Sequence, residues 1–480
     1  MDIVWLRDDF RLDDQPALAA ASDRPALHVY VHDQRPQNGR PLGGAAKWRL
    51  AQSLSHFERA LAARGARLDI VEGKADETIL ALASAVGARR VLWSRRYEAA
   101  GAGLDAAVQA ALAARGVETV SFNGRLMREP REVAKADGGL SGSFSAFWRR
   151  HQGLGPPPEP VSAPRRLAGA DWPADAPPRT TIAALRLIPT TPDWSSELAE
   201  GETPGEDGAR SALVRFVERA LSDYPDARDR LVPGATSRLS AHLRFGEISP
   251  RRAARAVEAA AAADARLGRA AEKFASELGW REFSYALLYA FPDLATRALR
   301  PDFEAFPFRD DKAAFRAWSR GETGYPVIDA GMRQLWRTGY MHNRVRMIAA
   351  SFLVKHLLID WRRGEAWFWD TLCDADPANN PASWQWVAGS GADAAPYFRI
   401  FNPILQGDKF DPDGDYVRRW VPELARLQGP HVHAPWRAPA DSLARAGVVL
   451  GKTYPKPIVD HDAARERALQ AFATIKRSAG

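Results

Sequence analysis

The chain has 480 residues, enough for about two or three domains, and its 66 Lys and Arg against 59 Asp and Glu give a formal net charge of +7. This balance favours a polyanionic partner, nucleic acid before membrane, although many enzymes without such a partner are equally basic. The single cysteine, Cys373, excludes a disulfide framework, a Cys-based zinc site and a Cys-ligated iron–sulfur cluster. We also find no pattern of a signal peptide or a membrane span, so we expect a cytoplasmic protein without a metal site.

The first 125 residues alternate β-type runs with Ala/Leu-rich helical runs. Strands are predicted at 3–6, 26–31, 67–72, 89–94 and 117–122, and helices at 45–63, 75–86 and 99–115. Alternation of this kind predicts a doubly wound parallel sheet. The first strand–helix turn, LRDDFRLDD, lacks the G-x-G-x-x-G that seats a pyrophosphate, so we do not expect the main nucleotide site here.

The rest of the chain divides at a Pro/Gly-rich stretch. Residues 152–209 contain GLGPPPEP, PADAPP and PTTP, which indicate a surface connector too polar to form a core. Beyond it the periodicity is helical to the end of the sequence. The fold class predicted is an α/β domain with a doubly wound parallel sheet (1–130), a connector (131–208) and a large all-α domain (209–480).

The segment ATSRLS in the helical region has the chemistry of an anion site. Hydroxyls of Thr236, Ser237 and Ser240, with Arg238, stand at the predicted start of a helix, where backbone N–H groups point outward. These groups are able to hold a phosphate. An ordinary helix N-cap is the alternative that the segment alone leaves open.

A second segment places an acid, an indole and a guanidinium on one helix face. Glu277, Trp280, Arg281 and Ser284 follow one another at i, i+3, i+4 and i+7. The functional interpretation is a pocket wall that stacks a base and hydrogen-bonds its edge. The alternative is a salt-bridged surface face covered by a Trp.

The stretch MHNRVRM (341–347) puts polar groups at the head of the apolar run MIAASFLVKHLLIDW, which we expect to be a core helix. Asn343, Arg346 and Met347 share one helix face, and Arg344 points away from it. A buried guanidinium requires an anion, and LCDADPANN offers Asp374 and Asp376. A purely structural Arg–Asp pair remains an equal alternative.

Taken in order, the motifs VWLRDDFRLDDQPAL, TSRLS, WREF, TGYPVIDAGMRQL, MHNRVRM, NNPASWQW and APYFRIFNP resemble the photolyase/cryptochrome family of blue-light flavoproteins. The resemblance covers nearly the whole chain. It implies an α/β antenna domain and an α-helical domain that binds FAD, which agrees with the organisation predicted above.

The resemblance also implies roles for individual residues. FAD would be held by Tyr224, Thr236, Ser237, Arg238, Leu239, Ser240, Arg281, Asn343, Arg346, Asp374, Ala375, Asp376 and Asn380. Damaged DNA would be contacted by Glu277, Trp280, Arg281, Asn343, Arg344, Met347, Trp386 and Gln406. Glu277, Asn343, Met347 and Asn380 would carry the catalytic roles, with Asn380 near the flavin N5 and Asp374 paired to Arg346.

The activity implied is light-driven repair of cyclobutane pyrimidine dimers by electron transfer from excited reduced FAD. Relatives that act on (6-4) photoproducts carry two histidines where this chain has His342–Asn343, and that reaction needs a proton that Asn does not supply. Asn343 and Met347 therefore favour the cyclobutane dimer, and His342 is interpreted as a packing residue. The expected partner is UV-damaged DNA, with a monomeric protein, no membrane and no obligate protein partner.

The chain departs from the family in its expected electron route. Trp384 and Trp361 match the inner and middle members of the usual Trp chain, but the third position is Phe308, which is too hard to oxidise. Photoreduction is then either weak or uses another route, for which Trp318, Trp336, Trp367 and Trp369 are the candidates. Tyr340 also replaces a common Trp and is expected to pack against the flavin.

The antenna chromophore is less determined. RPLGGAAKWRLAQSL (40–54) and NGRLMREPREV (123–133) resemble a branch near plant cryptochromes that favours a reduced folate, 5,10-methenyltetrahydrofolate, over a deazaflavin. An empty site is also open. Glu98 is a candidate pterin ligand, although an exposed glutamate on a helix is the favoured interpretation. Two rival functions are a cryptochrome photoreceptor without repair activity, which the intact lesion pocket and the lack of a long polar C-terminal extension oppose, and a flavoprotein that binds lesions without turnover.

Overall fold

The structure, a computed structural model, describes every residue except 36–39, 192, 201–202, 394–397 and 479–480. Residues 395–397 of the motif APYFRIFNP therefore lie outside the described residues. The chain divides into two compact units. The first contains Met1–Ser222, Ser237–Pro292 and Cys373–Pro377, and the second contains Asp223–Thr236, Asp293–Leu372 and Ala378–Gly480. The domain bounds predicted from the sequence stay a prediction.

The first unit contains the predicted sheet. Its strands are β1 Asp2–Leu6, β2 Ala26–His32, β3 Leu68–Glu72, β4 Arg90–Ser94 and β5 Glu118–Phe122. All pairings are parallel and the spatial order is β3-β2-β1-β4-β5. Successive strands are added on one side of β1 up to β3 and on the other side from β4, so the strand order reverses between β1 and β4. The doubly wound fold class is confirmed, with each strand within one or two residues of its predicted bounds.

The helices of the described residues have the following bounds. They are α1 Pro16–Ala21, α2 Gly44–Ala62, α3 Ala75–Ala85, α4 Ala99–Ala113, α5 Pro130–Val133, α6 Phe144–Gly153, α7 Glu206–Arg219, α8 Tyr224–Ala227, α9 Ser240–Arg244, α10 Pro250–Ala263, α11 Gly268–Ala290, α12 Lys312–Arg320, α13 Pro326–Thr338, α14 Asn343–Ser351, α15 Trp361–Thr371, α16 Asn379–Ala388, α17 Pro403–Phe410, α18 Asp415–Trp420, α19 Ala440–Ala446 and α20 His461–Ser478. None of them is both long and apolar enough to cross a membrane.

Alternation along the strands gives the sheet two apolar faces. Val4 and Leu6 of β1 pack into the core that includes residues of α1 and α2. Ile3 and Trp5 point to the opposite core, which includes residues of α3 and α4. Helices on both faces explain why these strands are apolar in consecutive positions.

The connector differs from its prediction. Leu167, Leu185 and Leu187 are buried in the core that contains Val4 and Leu6, so this segment is not too polar to contribute to a core. Its backbone also reaches the sheet, since Thr180 donates its N–H to the carbonyl of Ile70 at 2.8 Å. The prediction of a surface connector rested on the many Pro and Gly residues and did not take these three leucines into account.

In the second unit the apolar run 347–361 is buried, as expected, but it is not one helix. Helix α14 ends at Ser351, and Phe352–His356 forms a turn of π-helix. Leu358 then has a positive φ of 53°, and Asp360 caps α15 by accepting the Arg362 N–H at 2.9 Å. The interruption turns the chain, which lets α15 and α16 pack on each other.

Candidate functional site

Helix α11 of the first unit carries the predicted stripe of Glu277, Trp280 and Arg281. The Trp280 ring stacks on Phe144 of α6, with centroids 3.9 Å apart and an angle of 10°. Trp280 itself is half-buried. The Glu277 carboxylate forms an ion pair with Lys273 one turn earlier, at 2.9 Å between Oε1 and Nζ. Phe144 was not predicted, because its stacking depends on the packing of α6 against α11.

Arg281 is buried and incompletely satisfied. Its Nη1 donates to the carbonyl of Arg125 at 2.8 Å, and its guanidinium lies 4.9 Å from the Tyr285 ring centroid. Its Nη2 is buried without a hydrogen-bond partner among the described residues. A buried guanidinium N–H normally finds an acceptor, so this nitrogen points to a polar or anionic ligand.

The segment Asp374–Asp376 is fixed within the first unit by side chains that the sequence did not single out. Tyr285 donates its hydroxyl to Oδ2 of Asp376 at 2.7 Å. Arg244 donates from Nε to the carbonyl of Ala375 at 2.7 Å. Tyr285 follows Arg281 by one helical turn, which is the periodicity that would have identified it.

Glu282, next to Arg281, is a further residue that sequence reasoning missed. Its carboxylate accepts the Met127 N–H at 3.0 Å and the Arg128 N–H at 3.2 Å. Burial raises the pKa of Glu282 to about 7. The carboxyl therefore links the middle of the 123–133 segment to α11.

The predicted phosphate segment begins a short helix. Ser240 is the first residue of α9, and Leu239 occupies the N-cap position without a side-chain hydrogen bond to the helix. The ordinary side-chain N-cap is therefore not what Ser237–Ser240 forms. Arg238 has a φ of 58°, the left-handed conformation that non-glycine residues seldom adopt. Its predicted partner Thr236 and Tyr224, which begins α8, belong to the second unit.

At the start of α14, His342 is the N-cap, and its Nδ1 accepts the Arg344 N–H at 3.1 Å. Burial lowers the pKa of His342 to about 4, so the ring is neutral at neutral pH. Asn343 is exposed, and its Nδ2 lies 3.9 Å from Sδ of Met347. The structure thus brings the predicted pair Asn343 and Met347 together.

The two arginines of this turn are differently placed, as the helical period predicts. Arg346 donates from Nε to the carbonyl of Met341 at 2.7 Å and lies over the Tyr340 ring. Arg344 is ion-paired with Asp229 and lies 4.5 Å from the Phe410 ring centroid. The charge of Arg344 is therefore already compensated. The expected pairing of Arg346 with Asp374 stays a prediction.

Asn380 of α16 is buried and held by a residue that the sequence did not identify. Its Nδ2 donates to both the carbonyl and Oε1 of Glu365, at 3.0 and 2.7 Å. Close packing of α15 on α16 depends on Gly364, since a Cβ there would lie 2.2 Å from Cη2 of Trp384. These contacts fix both Asn380 and Trp384.

Aromatic rings extend from Trp384 to the surface of the second unit. Trp384 lies 6.2 Å from Trp318, centroid to centroid, and Trp367 lies 5.9 Å from Trp336. Phe315 contacts both Trp318 and Trp367, at 5.8 and 6.3 Å. The series begins in the interior, where Trp384 is 2% and Trp318 0% exposed, and it ends at Trp336, which is 51% exposed.

The two residues expected on the usual route have other surroundings. Trp361 is 1% exposed, and the guanidinium of Arg362 lies over its ring. Phe308 packs on Phe306, with centroids 4.8 Å apart. Trp369, the remaining candidate, is buried.

Trp386 and Gln406, both expected at DNA, lie on either side of residues 394–397, which are outside the described residues. Trp386 donates its Nε1–H to the carbonyl of Asp393 at 3.1 Å. Asp393 has a φ of 54°. Gln406 is half-buried in α17, a helix that Asn402 caps by accepting the Ile404 N–H at 3.0 Å.

The expectation of an exposed Glu98 is wrong. Glu98 is 6% exposed and pairs with Arg96 at 3.0 Å, just before α4 begins. Burial alone raises the pKa of Glu98, but the guanidinium groups of Arg96 and Arg125 outweigh it and hold the pKa below its usual value. Arginine neighbours, which supply the pairing that permits burial, could not be assigned from sequence alone.

Comparison with known proteins decides the family. The family models described as "DNA photolyase" and "FAD binding domain of DNA photolyase" match residues 2–165 and 274–474. The chain is 48% identical over 479 residues to the deoxyribodipyrimidine photo-lyase of Agrobacterium fabrum, covering 99% of this chain and 98% of that protein.

This chain belongs to the photolyase/cryptochrome family. Within the family, a solved class III photolyase from Agrobacterium tumefaciens matches with a TM-score of 0.93 and 48% identity, covering 99% of this chain and 98% of that one. Cryptochrome-2 of Arabidopsis thaliana is 37% identical over 486 residues, covering 99% of this chain and 79% of the plant protein. The fold class and the resemblance expected from the motifs are both confirmed.

The residues of a photolyase FAD-binding domain fit a flavin nucleotide here. The unpartnered Nη2 of buried Arg281 offers a donor to an anionic or carbonyl oxygen. Ser237, Arg238 and Ser240 have the hydroxyl and guanidinium groups that suit phosphates. Buried Asn380, whose Nδ2 is bound to Glu365, has its amide oxygen on the opposite side of the group.

Proposed function

We propose that this protein repairs cyclobutane pyrimidine dimers in UV-damaged DNA, using blue light and FAD. The observation that carries the proposal is the turn at the start of α14. Its two residues at the positions that decide between lesions are Asn343, in contact with Met347, and His342, which caps the helix. The 48% identity to a deoxyribodipyrimidine photo-lyase over nearly the full length supports the same conclusion.

The lesion assignment depends on the absence of a protonated imidazole, the general acid that the (6-4) reaction needs, at these two positions. Asn343 does not titrate, and the Nδ1 of His342 is occupied by the Arg344 N–H. With its pKa lowered to about 4 by burial, His342 carries no extra proton at neutral pH. Opening a cyclobutane ring needs an electron and no proton from the protein, whereas reversal of a (6-4) photoproduct needs proton transfer.

We assign FAD binding to the thirteen residues that the family resemblance indicates. In the first unit they are Ser237, Arg238, Leu239, Ser240, Arg281, Asp374, Ala375 and Asp376; in the second they are Tyr224, Thr236, Asn343, Arg346 and Asn380. Tyr285 and Arg244 hold Asp376 and Ala375 in place, and Glu365 holds Asn380. Reduced FAD, when bound, supplies one electron to the dimer on blue-light excitation and recovers it after the ring has opened.

The chain's own residues bind and orient the dimer. Dimers stack and pair poorly, so extruding one costs less than flipping a normal base. Trp280 and Trp386 offer aromatic faces, and base–aromatic stacking stabilises a bound base by about 1–3 kcal/mol. Glu277 hydrogen-bonds the base edge, with Asn343 and Met347 beside the reacting pair. Both carbon–carbon bonds between the bases break, and the electron's return leaves no net redox change.

For the contacts to DNA outside the lesion, we propose Arg344 and Gln406. Gln406 is half-buried in the capped helix α17, which gives it a fixed position. Arg344 shares its charge with Asp229, so its contribution is expected to be smaller than that of a free guanidinium.

For the antenna we propose a reduced folate, 5,10-methenyltetrahydrofolate, rather than a deazaflavin. Ligands of doubly wound sheets bind beyond the carboxyl ends of the strands where the strand order reverses, here between β1 and β4. Arg7 pairs with Asp105 at that edge, at 2.5 Å between Nη1 and Oδ1, so the choice of a folate rests on the resemblance of segments 40–54 and 123–133 and not on this edge. The neighbouring Asp8 accepts ion pairs from Arg96, Arg125 and Arg244. Extraction of the chromophore from protein expressed with folate, followed by its absorption spectrum, tests this assignment.

For electrons that reduce the flavin we retain Trp384 as the inner donor. Trp384 contacts Trp318, and Phe315 lies between Trp318 and the stacked pair Trp367 and Trp336. We favour Trp318, Trp367 and Trp336 as the continuation because this series ends at a half-exposed indole. Trp361 remains the proposed middle residue of a second branch, which Phe308 leaves without an oxidisable terminus.

The proposed function is tested with purified protein that contains FAD and has been photoreduced. It is mixed with UV-irradiated oligo-thymidine and illuminated with blue light. Restored absorbance near the thymine band is the expected result. FAD bound without such a recovery would contradict repair; continued preferential binding of the irradiated DNA would then indicate a lesion-binding flavoprotein, and its loss a cryptochrome-type photoreceptor.

A further inference from the structure

Lys355 is a buried lysine in an unusual backbone. It lies in the π-helical turn Phe352–His356 of the second unit and is 4% exposed. Single π-helical turns are frequent at functional sites. The side chain forms no salt bridge with a carboxylate of the described residues, which is uncommon for a buried lysine.

The amine of Lys355 contacts one backbone segment, residues 398–401. Its Nζ donates to the carbonyl of Arg399 at 2.5 Å and lies 4.5 Å from the Phe398 ring centroid. Burial, and secondarily the charge of Arg399, lowers the pKa of Lys355 to about 7. The uncharged amine still donates this hydrogen bond, so the contact persists through neutral pH.

The same segment has a second attachment. Phe401 donates its N–H to the hydroxyl of Ser351, the last residue of α14, at 3.4 Å. Residues 398–401 are thus tied to the α14–π-helix region at two points. The chain then continues through Asn402 into α17, which carries Gln406.

The segment also forms part of the surroundings of Trp386. A cavity of about 30 Å³ is lined by Lys355, Trp386 and three residues of the segment, Phe398, Arg399 and Phe401. This volume is far too small for a nucleobase. Its walls therefore act by packing behind Trp386 and not by holding a ligand of their own.

We propose that Lys355 is a positioning residue for recognition of the dimer. Its amine holds residues 398–401 behind Trp386 and in register with Gln406, and it thereby raises affinity for damaged over undamaged DNA without touching either. This inference rests on the proposed function, because Trp386 and Gln406 are the residues assigned there to lesion and DNA binding. Ser351 has the same role through the second attachment.

The test is dark binding of FAD-loaded protein to two labelled oligonucleotides, one with a single thymine dimer and one undamaged. For Lys355→Met we expect affinity for the dimer to fall about tenfold, equivalent to about 1.4 kcal/mol. Affinity for undamaged DNA should fall by a much smaller factor, because Trp386 is assigned to the lesion and only Gln406 to DNA outside it. Ser351→Ala, which removes the second attachment, should lower the same preference by a smaller factor and keeps the test decisive if Lys355→Met does not load FAD.

Salt dependence separates positioning from direct contact. A lysine that neutralises a phosphate lowers the slope of log K against log salt by about 0.7–0.9 when it is removed. The slope should be unchanged in Lys355→Met. Lys409→Met, which removes an exposed ammonium from α17, is the matched control for loss of one positive charge.

Four results decide between the possibilities. A Lys355→Met protein that keeps the wild-type preference for the dimer overturns the inference, and so does a slope that falls by the amount expected for one phosphate contact. A wild-type protein that shows no preference for the dimer contradicts the proposed function instead. Equal loss of affinity for both oligonucleotides would also overturn the inference, since a general structural defect has no selectivity.

Discussion

The amide of Asn380 is held by Glu365: its Nδ2 lies 2.7 Å from the Glu365 Oε1 and 3.0 Å from the Glu365 carbonyl oxygen. Both residues are buried. Two acceptors on one side fix the orientation of the amide, so its oxygen must face the other way. If Asn380 lies beside the flavin, as proposed, the flavin meets an acceptor and not a donor at this residue.

The first prediction concerns Glu365. Glu365→Ala removes one acceptor and frees the Asn380 amide to rotate, so a donor can face the flavin. We expect an altered balance between the one-electron and two-electron reduced flavin during photoreduction, followed by absorbance. Glu365→Gln retains an acceptor oxygen and should stay close to wild type. Identical spectra in Glu365→Ala and wild type would contradict the proposal that Asn380 lies beside the flavin.

The second prediction uses the buried carboxyl of Glu282. Burial raises its pKa from an ordinary 4.5 to about 7, so the folded state binds the proton more tightly than the unfolded state. Its contribution to stability is therefore complete below pH 4.5 and is lost as the pH rises through 7. The free energy of unfolding of wild type, relative to Glu282→Gln, should fall by about 3 kcal/mol over this interval. Denaturant unfolding at several pH values measures it, and a constant difference would contradict the assignment.

The third prediction concerns the lesion pocket. Glu277→Ala should slow dimer repair roughly 10- to 100-fold, since it removes a charge-assisted hydrogen bond of about 1.5–3 kcal/mol. Repair under saturating light is followed by the recovery of thymine absorbance. Lys273→Ala removes only the ion-pair partner of Glu277 and is the matched control. Equal slowing in both variants would assign the effect to the surface ion pair.

The fourth prediction concerns electron entry. Trp318→Phe should slow photoreduction of the flavin by external reductant more than Trp361→Phe does. Trp336→Phe should act in the same direction, because it removes the half-exposed end of the series. Phe308→Trp tests the other branch and should speed photoreduction. Repair by chemically reduced protein should be unaffected in all four variants, and a loss of repair would mean that they disturb the pocket.

Much of the fold was predictable because it depends on local patterns. Strand β1, for example, has apolar side chains on both faces. Such a run predicts a buried strand whichever strands pair with it. The predictions were wrong where burial of a residue depends on a contact with another part of the chain. Leu185 joins the core against the trend of a Pro-rich neighbourhood, and Glu98 is buried because Arg96 accompanies it. Arg96 and Glu98 lie between β4 and α4, outside any strand or helix whose period would pair them.

The site followed the same division. Asn343 and Met347 meet because they are four residues apart on one helix, and this contact could be predicted. The groups that hold the predicted residues could not. Glu365 reaches Asn380 from another helix, and Lys355 reaches Arg399 across 44 residues of chain. Such contacts are set by tertiary packing, and a single sequence carries no periodic signal for them.

The stacking of Phe144 on Trp280 has a consequence for the order of events on DNA. A ring whose one face is covered at 3.9 Å has only its other face for a base. Trp280 therefore ends a stack and cannot be inserted between two stacked bases as a wedge. Under the proposed function, the dimer has to leave the double helix before it meets this indole. Trp280 therefore binds a dimer that is already extruded and does not drive its extrusion.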